Sequence, residues 1–154
     1  MLDIYVDGDA CPVKNEVYKV AKRYDLRVFV VSDSPLRVPS DGRVERIRVK
    51  QDAGSADDWI AARIQQDDIA VTADIPLADR CLKRGARVVA PDGRVFTEAS
   101  IGDAVAGRDL MDHLRQMGEV TGGPAPFAPA DRSRFLSRLD EAIVAIQRGK
   151  AARR

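Results

Sequence analysis

The chain has 154 residues, 45% hydrophobic and 32% charged, with a formal net charge of +1. That length suits one domain with its own core, and no metal or disulfide staple is needed to hold it. No uncharged apolar run approaches the ~18 residues of a membrane span, and near-neutral charge argues against a wholesale electrostatic grip on nucleic acid.

Residues 2–7 read as a short apolar strand that ends in Asp7-Gly8-Asp9. No basic segment followed by an apolar one opens the chain, so no secretory signal is expected and a cytoplasmic location is. Pro12 suits the first turn of a helix, and Val13, Val17, Val20, Ala21 and Tyr24 then recur at helical spacing. Residues 26–31 are a near-continuous apolar run, as in a parallel strand covered on both faces. Residues 32–43 hold Ser, Asp, Pro and Gly in loop combinations. Residues 44–50 alternate, with Arg46, Arg48 and Lys50 on one face, and read as an edge strand. Ser55 and Asp58 resemble a capping box at the start of a helix through Trp59 and Ile64. Residues 69–73 form another buried-type strand, 76–83 a short helix stopped by Gly85, and 87–90 a last strand ended by Pro91-Asp92-Gly93. Helical stretches over 101–118 and 131–147 follow, separated by a Gly- and Pro-rich loop at 121–126.

Strands alternating with helices predict a three-layer α/β/α fold with a mostly parallel sheet and C-terminal helices. The expected organisation is an α/β domain over 1–118, a loop and C-terminal helix over 119–149 packed on it, and a flexible basic tail over 150–154. The charge is uneven. Residues 1–107 carry 16 basic and 18 acidic residues, net −2, and residues 108–154 carry 9 and 6, net +3.

The aspartates fall at strand ends. In an open parallel sheet, ligands bind beyond the carboxyl ends of the strands, where strand order reverses. With the first strand central, Asp7 and Asp74 face each other across that crevice, and Asp57 and Asp79 lean over the same rim. Gathered carboxylates repel one another, and a divalent cation relieves the repulsion. An all-oxygen site suits Mg²⁺ or Mn²⁺, which activate water and stabilise phosphoryl charge. Each Asp also has a plain structural reading as a turn former or helix cap, Asp74 at the short helix and Asp58 beside Ser55 among them.

Val6-Asp7-Gly8-Asp9-Ala10-Cys11-Pro12, Ala56-Asp57-Asp58-Trp59-Ile60 and Thr72-Ala73-Asp74-Ile75-Pro76-Leu77-Ala78 resemble motifs of the bacterial YaiI/YqxD family. Residues 34–39, 108–111 and 121–124, with Asp131, Arg132 and Phe135, fit it too, so the resemblance spans about residues 3–147. That family is similar to the PIN-like nuclease superfamily. The resemblance implies a PIN-like sheet whose acidic residues bind Mg²⁺ or Mn²⁺, and a nuclease or phosphodiesterase acting on RNA or other single-stranded nucleic acid. Carried over, Asp7 and Asp74 bind metal directly, and Asp9, Asp57 and Asp79 bind a second metal or orient water. Thr72 hydrogen-bonds a carboxylate, and Lys14, Arg37, Arg132 and Arg134 are candidates to hold phosphate. Family members often carry an Asp where this chain has Gly54, and Asp52 is the nearest substitute.

Two other functions compete. Asp7-Gly8-Asp9 resembles the nucleophile motif of haloacid-dehalogenase phosphatases, although Cys11 stands where Thr or Val is usual. A non-catalytic module that binds metal or nucleic acid is the other. His113, the only histidine, reads as structural, and Trp59 as core or a lid. Cys11 and Cys81 lack metal-type spacing and read as reduced thiols. Cys11 reads as a small buried residue whose pKa the adjacent helix N-terminus lowers.

Overall fold

In the computed structural model, which describes residues 1–52, 54–103, 106–107 and 127–152, six strands form one sheet. The strands are β1 (Asp3–Asp7), β2 (Arg27–Ser32), β3 (Val44–Arg48), β4 (Ile69–Val71), β5 (Arg87–Val89) and β6 (Val95–Phe96). The helices are α1 (Lys14–Tyr24), α2 (Ser55–Arg63), α3 (Ile75–Lys83) and α4 (Pro129–Ala152), the last continuing through residues 150–152 of the basic tail. Residues 98–103 and 106–107 are also helical. The rest of the helix expected over 101–118, His113, the 108–111 and 121–124 motifs and the 118/119 boundary lie outside the described residues.

The strand order is β3-β2-β1-β4-β5-β6, parallel throughout except for the β5–β6 pair. The fold is a three-layer α/β/α sandwich with a C-terminal helix. Period-two alternation decides which layer each side chain joins. Ile4, Val6, Val28, Val30, Ile69 and Val71 face α1 and α4. Tyr5, Val31, Ala70, Val88 and Ala90 face α2 and α3. Covering both faces explains the near-continuous apolar runs of the central strands.

Several local expectations need correction. Pro12 lies in the turn before α1, which starts at Lys14. No capping box forms at α2. Gly54 is its N-cap at φ +86°, no side chain caps it, and Asp58 pairs instead with Arg80 at 2.9 Å. The chain also turns back after β5 and adds β6 as a sixth strand. Gly93 at φ +92° closes the turn, its amide donating to the Ala90 carbonyl at 2.9 Å, and the Ala90 amide donates to Arg94 at 2.8 Å. A tight turn with a left-handed glycine favours a hairpin, and a two-residue strand carries too little pattern to be seen beforehand.

The β2–β3 connection contains no helix, yet the two strands are parallel. Leu36 and Val38 of that loop pack on the α1 side of the sheet and cover surface that a crossover helix normally buries.

The α4 layer is an integral part of the core. Phe135, Leu139 and Ile143 are fully buried against α1 and the sheet. Truncating Phe135 to Ala is expected to cost about 3–5 kcal/mol. Thermal unfolding should then fall by roughly 6–20 °C for a domain of this size. A shift of under 1 °C would mean that α4 is not needed to complete the core.

Candidate metal and phosphate site

The reversal point of the sheet lies between β1 and β4. Their register pairs Val6 with Val71, so Asp7 and Thr72 leave the sheet side by side. Thr72 is 2% exposed. Its hydroxyl donates to Asp7 Oδ2 at 3.1 Å and accepts the Asp74 amide at 3.0 Å. One buried hydroxyl thus links the first carboxylate to the backbone of the second.

Asp74 sits at the N-cap of α3, where Oδ1 accepts the Leu77 amide at 2.9 Å. Capping is a structural duty, as the sequence allowed, and it also fixes the carboxylate's direction. Among the described residues, no hydrogen bond reaches Oδ2. Asp57, in the first turn of α2, faces the same place. Partial burial raises its pKa to about 6, reinforced by the charges of Asp74 and Asp7, while Arg80 acts in the opposite direction. Asp7 is raised too. Burial is the largest cause, the Thr72 hydrogen bond opposes it, and Asp74 and then Asp9 add repulsion. Asp7, Asp57 and Asp74 therefore form one electrostatic group.

Asp9 and Asp79 are drawn elsewhere. Asp9 accepts hydrogen bonds from the Ser32 hydroxyl and, at 3.1 Å, from the Asp33 amide. Desolvation alone would raise its pKa, but these donors outweigh it and hold the carboxyl below its usual range. Asp79 pairs with Lys83 at 2.9 Å, one turn along α3. Among the described residues, no group of three or more histidine, cysteine or acidic side chains converges tightly enough to hold a metal unaided. Two of the five carboxylates, Asp9 and Asp79, are satisfied by donors of their own, and the other three repel one another.

Gly8 is required by packing. A Cβ there would meet Val30 Cγ1 at 2.9 Å, the Val31 carbonyl oxygen at 3.0 Å and Leu36 Cδ1 at 3.1 Å. The β2–β3 loop thus presses on the turn that carries Asp7 and Asp9. Lys14 pins the other side of that turn, donating to the carbonyls of Gly8 at 3.0 Å and Cys11 at 2.9 Å. Arg37 is exposed on the loop and makes no hydrogen bond or ion pair with a described residue. Arg132 joins α4 to α1 through Glu16 at 2.6 Å and the Pro12 carbonyl at 3.2 Å. Arg134 holds the β5–β6 turn through the Asp92 carbonyl at 3.1 Å and pairs with Asp131 at 3.2 Å. These two arginines clamp secondary structure together.

Cys11 corrects an expectation. Its thiol is pushed up by burial, which outweighs a backbone hydrogen bond and the charge of Lys14. A protonated, buried thiol is no nucleophile. Ser32 and Arg80 were missed in the sequence. Ser32 looked like loop chemistry, and Arg80 had no visible partner until α2 and α3 were placed together.

No helix among the described residues is long and apolar enough to cross a membrane. No solved structure matches the chain. Residues 5–145 match the model of a family described as uncharacterised, YaiI/YqxD. The chain is 59% identical over 154 residues to a UPF0178 protein of Rhodospirillum centenum, covering 97% of this chain and 100% of the relative. A UPF0178 protein of Rhodopseudomonas palustris is 59% identical over 145 residues, covering 94% of each chain. One from Brucella suis is 56% identical over 146 residues, covering 94% of this chain and 91% of the relative. With the match running from β1 into α4, the chain belongs to the YaiI/YqxD family.

Proposed function

We propose that the protein is a metal-dependent phosphodiester hydrolase acting on RNA or other single-stranded nucleic acid. The observation that carries this reading is the pairing of Asp7 and Asp74 at the ends of adjacent central strands, where the strand order reverses. The donor set is all oxygen, which suits Mg²⁺ or Mn²⁺. Mg²⁺ typically keeps several waters and takes one or two carboxylates plus substrate phosphate. A pair of protein ligands therefore fits it, and a tight cluster of three is not required. Asp7 and Asp74 would hold the ion, and Asp57 would add negative charge beside it. When bound, such an ion supplies activated water and stabilises charge on the phosphoryl oxygens.

The chain's own groups have defined tasks in this reading. Thr72 orients Asp7. Lys14 spends two ammonium donors on backbone carbonyls and keeps a third for a phosphate oxygen. Arg37 stands on the loop that covers Gly8, with no partner among the described residues. The phosphatase alternative sets Asp9 to work beside Asp7, whereas Asp9 is held by the Ser32 hydroxyl and the Asp33 amide.

Calorimetric titration with Mn²⁺ should give saturable binding to the wild type and none to Asp7→Asn/Asp74→Asn. Cleavage of single-stranded RNA should fall at least a hundredfold in the same variant. Metal binding without any cleavage would favour the non-catalytic module, and undiminished cleavage in the double variant would exclude the assignment.

Thr72→Val keeps the side-chain shape but removes both hydrogen bonds. A roughly 10–100-fold loss of Mn²⁺ affinity is expected. Thr72→Ser should recover most of it, because the hydroxyl is what acts. Equal affinities for the Val and Ser variants would show that Asp7 needs no orienting partner.

Asp57 gives a stability test with a definite sign. Its folded-state pKa of about 6 lies above the usual carboxylate range. Its favourable contribution is therefore present at low pH and is lost as pH rises through 6. At pH 7 without metal, Asp57→Asn should unfold about 2–4 °C higher. That corresponds to about 1 kcal/mol once solvent screening of a half-exposed group is allowed for. The gain should vanish near pH 4 and shrink when Mn²⁺ is present. A lower melting temperature at pH 7 would contradict the repulsion inferred here.

A further inference from the structure

A second groove lies across α2 from the three carboxylates. It is a shallow, open surface groove of about 450 Å³, lined by Arg48, Lys50, Asp58, Trp59 and Arg63 among others. Arg48 and Lys50 line it at the open β3 edge of the sheet. Both are exposed, and neither makes a hydrogen bond or ion pair with a described residue. Arg46, also on β3, is already used, donating to the Leu36 carbonyl at 3.0 Å.

The groove's acidic member, Asp58, is paired with Arg80 at 2.9 Å, which leaves the cations in excess. The Arg63 guanidinium lies 4.3 Å from the centroid of the Trp59 ring and also donates to the Trp59 carbonyl at 3.3 Å. Trp59 is itself held from behind by Tyr5 and Phe29, with centroids at 6.2 and 6.1 Å. The guanidinium is thereby fixed as a flat, charged platform, a surface on which an unpaired base stacks. A duplex keeps its bases stacked on one another and gains nothing from such a platform. Free cations next to a stacking surface are the combination that single strands use.

We propose that this groove binds single-stranded nucleic acid, with phosphates on Arg48 and Lys50 and a base against the Arg63–Trp59 pair. The proposal deepens the hydrolase reading by naming where the strand lies outside the acidic crevice. Helix α2 joins the two regions, with Asp57 toward one and Trp59 and Arg63 toward the other. Phosphate held on the basic side brings the strand to the acidic side without any cation having to enter it.

The test uses a fluorescein-labelled single-stranded RNA of about 12 nucleotides in EDTA, so that binding is read without catalysis. Trp59 is the only tryptophan of the chain, so its emission reports this groove alone. Saturable binding is expected, with a change in Trp59 emission that follows the anisotropy. Two cations engaged on phosphate predict a slope of log affinity against log salt of about −1.4. Arg48→Glu/Lys50→Glu should weaken binding at least tenfold. Lys19→Glu/Lys22→Glu, exposed on α1 across the sheet, should stay within twofold. Circular dichroism and melting of both variants check that the fold is kept. An unchanged affinity in Arg48→Glu/Lys50→Glu, or silent Trp59 emission at saturating RNA, overturns the proposal. Assays in Mn²⁺ separate the two readings. Binding in the groove without hydrolysis defeats the hydrolase and leaves the groove standing. Asp7-dependent hydrolysis with a KM unmoved by Arg48→Glu/Lys50→Glu does the reverse.

Discussion

One buried hydroxyl governs the geometry of the crevice. Thr72 is placed by the β1–β4 register, and its hydroxyl donates a hydrogen bond to Asp7 while accepting one from the Asp74 amide. Only a group that is donor and acceptor at once can serve both sides. Because the residue is buried, either hydrogen bond left unmade would strand a polar atom away from water, at about 1–3 kcal/mol. The direction of Asp7 is therefore tied to the backbone path into α3. That path also makes Asp74 an N-cap, so the scaffold and the site share the same atoms.

The carboxylates divide according to the donors around them. Asp9 has a hydroxyl and an amide, Asp79 a lysine one turn away, and Asp58 an arginine from α3. Asp7 and Asp57 have too few donors for their burial, and with Asp74 they repel one another. Native structures usually avoid such uncompensated charge unless a site needs it. The basic residues divide in the same way. Lys14, Arg132 and Arg134 hold turns and helices together, while Arg37, Arg48 and Lys50 have no partner among the described residues.

Packing and charge are joined at Gly8. The close approach of Val30, the Val31 carbonyl and Leu36 excludes any side chain there. The helix-free β2–β3 loop thereby supports the turn between Asp7 and Asp9. On the far side of α2, the Tyr5, Phe29 and Trp59 rings form the wall on which Arg63 lies. The two faces of this one short helix thus carry opposite charge character, which the near-zero net charge of the whole chain conceals.

The layered α/β architecture was legible in the sequence. Near-continuous apolar runs at 26–31 and 69–73, with helical spacing between strands, follow from burial on both faces of a parallel sheet. So did the placement of Asp7 and Asp74 at strand ends, because local chain order determines where a strand stops. What local order could not determine was how distant donors meet. The Ser32–Asp9 and Arg80–Asp58 pairs span loops and layers, and the sequence showed those residues only as a turn former, a helix cap or a surface charge. Strand β6 was too short to carry a periodic signal, and Cys11 was decided by burial, which no neighbour in sequence reports. The sequence by itself determined the alternation of elements and the carboxylates at their ends. Only the tertiary structure decided which charges are neutralised and which stay exposed to a ligand, because that depends on desolvation and on partners brought together through space.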